Sequence, residues 1–80
     1  MPDSFLYNPT SIADRIKEIS KIRKIQIKRM LSDIEIGSNT MSHLRHGRMI
    51  ASDSLAKIAD YLDCSVDYLL GRTDKPEVNK

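Results

Sequence analysis

The residues best suited to chemistry lie close together. In "EIGSNTMSHLRHG", residues 35–47, Asn39, Ser42, His43 and His46 follow one another at helical spacing. On a helix turning about 100° per residue, with Asn39 as origin, His43 falls about 40° away, His46 about 20° and Ser42 about 60°. Met41 and Leu44 lie on the far side. All four polar side chains are short, and each carries groups that donate or accept hydrogen bonds. Lys and Glu serve a face that needs only solvation; this set suits close approach to base edges, where donors and acceptors stand at fixed spacing. A solvated polar face is the plain alternative. Two further chemistries can be weighed on the same residues. His43 and His46, one turn apart, hold a metal only with more ligands nearby, and Cys64 falls in an expected break between later helices, so no metal is expected. Catalysis needs a nucleophile beside a base in a cleft, and no such spacing is present. The chain is therefore not expected to be an enzyme or to carry a cofactor.

Composition narrows the setting for these residues. Eighty residues, 40% hydrophobic and 30% charged, suffice for one small core and are too few for an enzyme that must also build a deep pocket. The lone Cys64 forms no internal disulfide, and the amino terminus lacks a basic flank followed by an apolar run. A reducing cytoplasm is the expected location. No run approaches the roughly 20 apolar residues of a membrane span, so no membrane partner is expected. The net charge of +2 is unevenly spread: residues 1–48 carry nine Lys or Arg against five Asp or Glu, and residues 49–80 carry four against six. The amino-terminal half is the expected footprint for a polyanion.

Short helices joined by tight turns are the elements that must position the polar face. Residues 1–9, "MPDSFLYNP", lack periodicity and form either a flap on the domain or a contact for another chain. In "TSIADRIKEISKIRK", Thr10 or Ser11 is expected to cap a first helix with Ile12, Ile16 and Ile19 on its inner side and a basic outer face. A second helix is expected over 27–34, anchored by Met30 and Leu31, and the polar stretch supplies a third. Ser52 is expected to cap a fourth through Leu55, Ile58, Ala59 and Leu62. In "SVDYLLG", Ser65 is the expected cap and Gly71 the left-handed stop. The polar residues 72–80 are expected to form a loose tail. The helical domain thus spans residues 10–71 and is all-α.

The arrangement resembles the lambda-repressor and Cro family of helix-turn-helix DNA-binding domains. The likeness is carried by "RIKEI", "KRMLSDIEIGSNTMSHLRHG" and "LAKIADYLDCSVDYLLG", covers about residues 12–71, and is most specific in the closing segment. It implies a compact five-helix fold whose third helix enters the major groove of duplex DNA. Mapped onto this chain, the base contacts are Ser38, Asn39 and His43; Asn39 matches the donor and acceptor of adenine. Thr40, Ser42, His46 and Arg48 are the corresponding candidates for the phosphate backbone. Where the family has glutamine at the start of its second helix this chain has Ile27, so Gln26 or Lys28 takes that phosphate contact. Arg23 and Lys24 either touch the backbone or form a solvated face. Ser20 and Arg45 occupy the places of an Arg–Glu pair, so both partners are missing together.

Two departures fall in the turn. Glu35 stands where the family has Gly, and Gly37 where it has a capping Ser or Thr. A left-handed Glu35 costs about 1 kcal/mol relative to Gly, so the turn is expected to pass through Gly37, with the third helix shifted by about one residue. The resemblance implies a transcriptional regulator, a repressor of phage or mobile-element type, that binds a pseudo-palindromic operator as a homodimer. The flap and the fifth helix are the expected dimer surfaces. The competing account is an antitoxin or anti-repressor that mainly binds a partner protein, through Tyr61, Tyr68, Leu69 and Leu70. For the Leu pair, core or dimer contacts are the favoured account.

Overall fold

The computed structural model describes residues 7–77, so the flap residues Phe5 and Leu6 lie outside it. It contains five helices, α1 Pro9–Arg23, α2 Ile27–Asp33, α3 Thr40–Arg45, α4 Ser52–Leu62 and α5 Val66–Leu70, and no strand among the described residues. Helix α1 starts earlier than expected. Asn8, not Thr10 or Ser11, is its cap: Asn8 Oδ1 accepts from Thr10 N at 3.0 Å and from the Thr10 hydroxyl at 2.6 Å. Pro9 occupies the first helical position, where its missing N–H costs nothing and its fixed φ is already helical. Helix α4 is flanked by Ala51, with Ser52 as its first residue and no side-chain cap. Ser65 does cap α5, accepting from Tyr68 N at 3.0 Å.

All five helices stop by one device. The residue after the last turn adopts left-handed backbone, and the next N–H reaches back across it to a carbonyl five residues earlier: Ile25 to Ser20 (2.8 Å), Ile36 to Leu31 (3.1 Å), Arg48 to His43 (2.8 Å), Cys64 to Ala59 (3.0 Å) and Arg72 to Asp67 (2.8 Å). Only Gly47 and Gly71 supply the expected glycine. Lys24, Glu35 and Asp63 hold φ of 58°, 59° and 54°, at a cost of about 1–2 kcal/mol each. The neighbours on the carboxy side differ between the two groups. After the two glycines come exposed arginines, Arg48 and Arg72; after the three strained residues come Ile25, Ile36 and Cys64, all packed in or against the core. Ile25 and Ile36 are partly buried and Cys64 is fully buried. Full burial of an aliphatic side chain is worth about 1.5–3 kcal/mol, so even a part of it is comparable with the cost of the left-handed residue before it.

Helix α1 is the central element and packs on α3, α4 and α5, while α2 packs on α4. Ile12, Ile16 and Ile19 from α1 meet Met30, Leu44, Ile58, Leu62 and Leu69 in a fully buried core. The expected basic outer face of α1 is partly spent on internal contacts. Arg23 Nε donates to Leu62 O at 2.8 Å and its Nη2 to Asp63 O at 3.1 Å, satisfying the carbonyl end of α4. Arg15 Nη1 donates to Tyr68 O and Thr73 O, both at 3.3 Å, with its guanidinium 5.1 Å from the Tyr68 ring centroid. Residues 72–77 are accordingly not the loose tail expected: Ser65 N donates to Pro76 O at 2.9 Å, and Arg15 pairs with Asp74 at 3.5 Å.

Candidate nucleic-acid interface

The polar face is built on α2, a turn and α3. Helix α2 is fixed from below by Met30 and Leu31, and from the side by Tyr61 of α4, whose hydroxyl donates to Asp33 Oδ2 at 2.6 Å. That bond to a carboxylate, with burial adding to it, raises the Tyr61 phenol above its usual range. Asp33 also lies 3.8 Å from Arg29 Nε.

The turn takes the route that local propensity disfavours. Its left-handed residue is Glu35, and Gly37 is not among the positive-φ glycines. Ile36, not a glycine, makes this possible by packing against the core. The chain then folds back on Gly37 O, which accepts from Thr40 N at 3.1 Å and from the Thr40 hydroxyl at 2.6 Å. Helix α3 therefore begins at Thr40, and Ser38 and Asn39 precede it rather than form its first turn. Thr40 is 6% exposed, so its hydroxyl, expected at a phosphate, is turned inward and engaged; this corrects its assignment as a backbone contact.

The other candidates keep outward positions. Met41 and Leu44 are buried, as the wheel requires, while Ser38, Asn39, Ser42, His46 and Arg48 are exposed and His43 is half-buried. Asn39 flanks α3 without a side-chain cap bond, which leaves its carboxamide free of the helix end. The His46 ring is held: Nδ1 lies 2.7 Å from Ser42 O and 3.4 Å from Ser42 Oγ. A proton on Nδ1 is donated to that carbonyl, leaving Nε2 for an outside partner. Gln26 and Lys28 are both exposed beside the start of α2. Gln26 accepts from Met30 N at 2.9 Å with its backbone carbonyl, and its side chain makes no cap bond.

Arg45 lies elsewhere. It joins Lys28, Ser32 and Ser38 around a groove of about 580 Å³ floored by Ile27, Leu31, Ile36 and Met41. Its position about 120° from Asn39 on the wheel, beside Met41, carries that signal. Of the four residues named for the partner-binding account, Tyr68 and Leu69 are buried and Tyr61 and Leu70 are half-buried, with the Tyr61 hydroxyl donating to Asp33. Cys64 is buried as well, and burial pushes its thiol up to about 11.

Two short helices joined by a tight turn, with the polar side of the second facing outward, define a helix-turn-helix domain. A family profile matches residues 15–75, and the chain belongs to the Cro/C1-type HTH DNA-binding domain family. No curated protein and no solved structure matches the chain. Among the described residues, no helix is long and apolar enough to cross a membrane.

Proposed function

We propose that the protein is a transcriptional repressor that reads duplex DNA sequence with the outer face of α3. One observation carries this reading: the exposed Ser38, Asn39, Ser42 and His46 and the half-buried His43 stand on or beside a helix whose opposite side, Met41 and Leu44, is locked into the core. The short hydrogen-bonding side chains are thereby carried on a rigid support. Ser38, Asn39 and His43 contact bases, with the Asn39 carboxamide on an adenine edge. Gln26, Lys28, Ser42, His46 and Arg48 contact phosphates and set the register.

One module of this size reads about 5 bp, which discriminates poorly. Two copies are therefore needed, bound as a homodimer to a pseudo-palindrome with half-sites about 10 bp apart or a multiple of it. Selection of bound duplexes from a random pool tests the reading directly. Selected sites should show dyad symmetry and a preferred adenine in each half-site; a pool without any enriched motif refutes sequence reading. Repression is checked by placing the selected site over a promoter, where expression should fall when the protein is supplied.

A further inference from the structure

Gly37 has no backbone reason to be glycine. The glycines at 47 and 71 sit at φ of 83° and 87°, where side chains are strained, whereas Gly37 is not in that region. Its reason is spatial. A Cβ placed at Gly37 would stand 2.7 Å from Asn39 Oδ1 and 3.8 Å from Asn39 Cγ, with no other atom beyond its chain neighbours within 4 Å. The Asn39 carboxamide lies back over the bare Cα of Gly37, at a distance no real Cβ tolerates. It makes no cap bond to α3 that would otherwise hold it.

We infer that Gly37 is a positioning residue for base reading: by lacking a Cβ it gives the Asn39 carboxamide the orientation it presents to DNA. The inference rests on the reading of Asn39 as a base contact. Its physical logic is that a terminal amide is the cheapest part of this contact to move. An alanine at 37 is compatible with the backbone there, so the protein should fold, and relief comes by rotation of Asn39 about its side-chain torsions. The fold survives and the reading geometry does not. The polar contacts to phosphate, which lie on other residues, are untouched.

The test is a double-mutant cycle with Gly37→Ala, Asn39→Ala and the pair, each measured by thermal melting, by affinity for random-sequence duplex, and by affinity for the selected site and its single-base-pair variants. Gly37→Ala should melt within a few degrees of the parent and bind random duplex equally well. It should lose about 5- to 150-fold discrimination at one base pair, the same pair that Asn39→Ala relaxes. In the Asn39→Ala background, where the opposing Oδ1 is gone, adding Gly37→Ala should change nothing further. Parental discrimination in Gly37→Ala overturns the inference while leaving the Asn39 reading intact. A further loss in the double variant, or a melting loss not restored there, shows that Gly37 acts on the turn itself and also overturns it. If Asn39→Ala leaves the motif unchanged, the reading of Asn39 fails first and the inference falls with it.

Discussion

Replacing Glu35 by glycine is expected to stabilise the protein. Glu35 holds φ at 59° and is exposed. Its side chain makes no hydrogen bond or ion pair among the described residues, so it offers nothing to set against the backbone cost. A left-handed residue bearing a Cβ costs about 1–2 kcal/mol, and glycine's greater freedom in the unfolded chain offsets about 0.4–1 kcal/mol of the relief. At the middle of these ranges the net gain is about 0.8 kcal/mol, or about 3–6 °C in Tm for a domain of this size. Thermal melting followed by circular dichroism, with Glu35→Ala as control, separates conformation from charge, because alanine removes the carboxylate yet keeps the strain. Glu35→Gly should melt above Glu35→Ala. Equal melting of the two would refute the assignment of the left-handed residue to position 35, and with it the start of α3 at Thr40. By the same logic, Ile36→Ser should destabilise more than an ordinary half-buried substitution, since it removes the apolar contact that holds the strained turn.

Three further outcomes are expected. Asn39→Ala should cost about 1–3 kcal/mol at one base pair and relax preference there, whereas Arg48→Ala should weaken binding to all sequences alike and reduce the salt slope by about one unit, both read by titrations across salt. Ser20→Ala should stabilise by about 1 kcal/mol in urea melts, because the Ser20 hydroxyl is buried with no hydrogen-bond partner; a destabilised variant would show that the hydroxyl is satisfied. Cys64 titrates upward on folding, from 9.0 to about 11. A raised folded value means that its contribution is full below about pH 9 and is lost as pH rises toward about 11, so the parent should lose about 2 kcal/mol more than Cys64→Ala across that window in urea melts.

Periodicity alone determined the helical class, the inner residues Ile12, Ile16 and Ile19, the anchors Met41 and Leu44, and the stop at Gly71, because these depend only on the 3.6-residue turn and on the freedom of a residue without a Cβ. The residue pattern also carried the family likeness. Local rules fail where the deciding contact is distant in sequence. Lys24, Glu35 and Asp63 look like poor helix stops until Ile25, Ile36 and Cys64 are seen packed with the core. Propensity by itself assigns the turn to Gly37, and burial of Ile36 outweighs it. The sequence shows only a basic outer face on α1, with Arg23 open to a DNA-backbone contact or to solvent, yet Arg15 and Arg23 satisfy carbonyls at Tyr68 and Thr73 and at Leu62 and Asp63, 39 to 58 residues away. Thr40 turns inward for a local reason that becomes decisive only once Glu35 has set the chain's direction. Propensity is worth tenths of a kcal/mol to about 1 kcal/mol per residue, and a buried apolar side chain is worth more; where the two disagree, the tertiary contact decides.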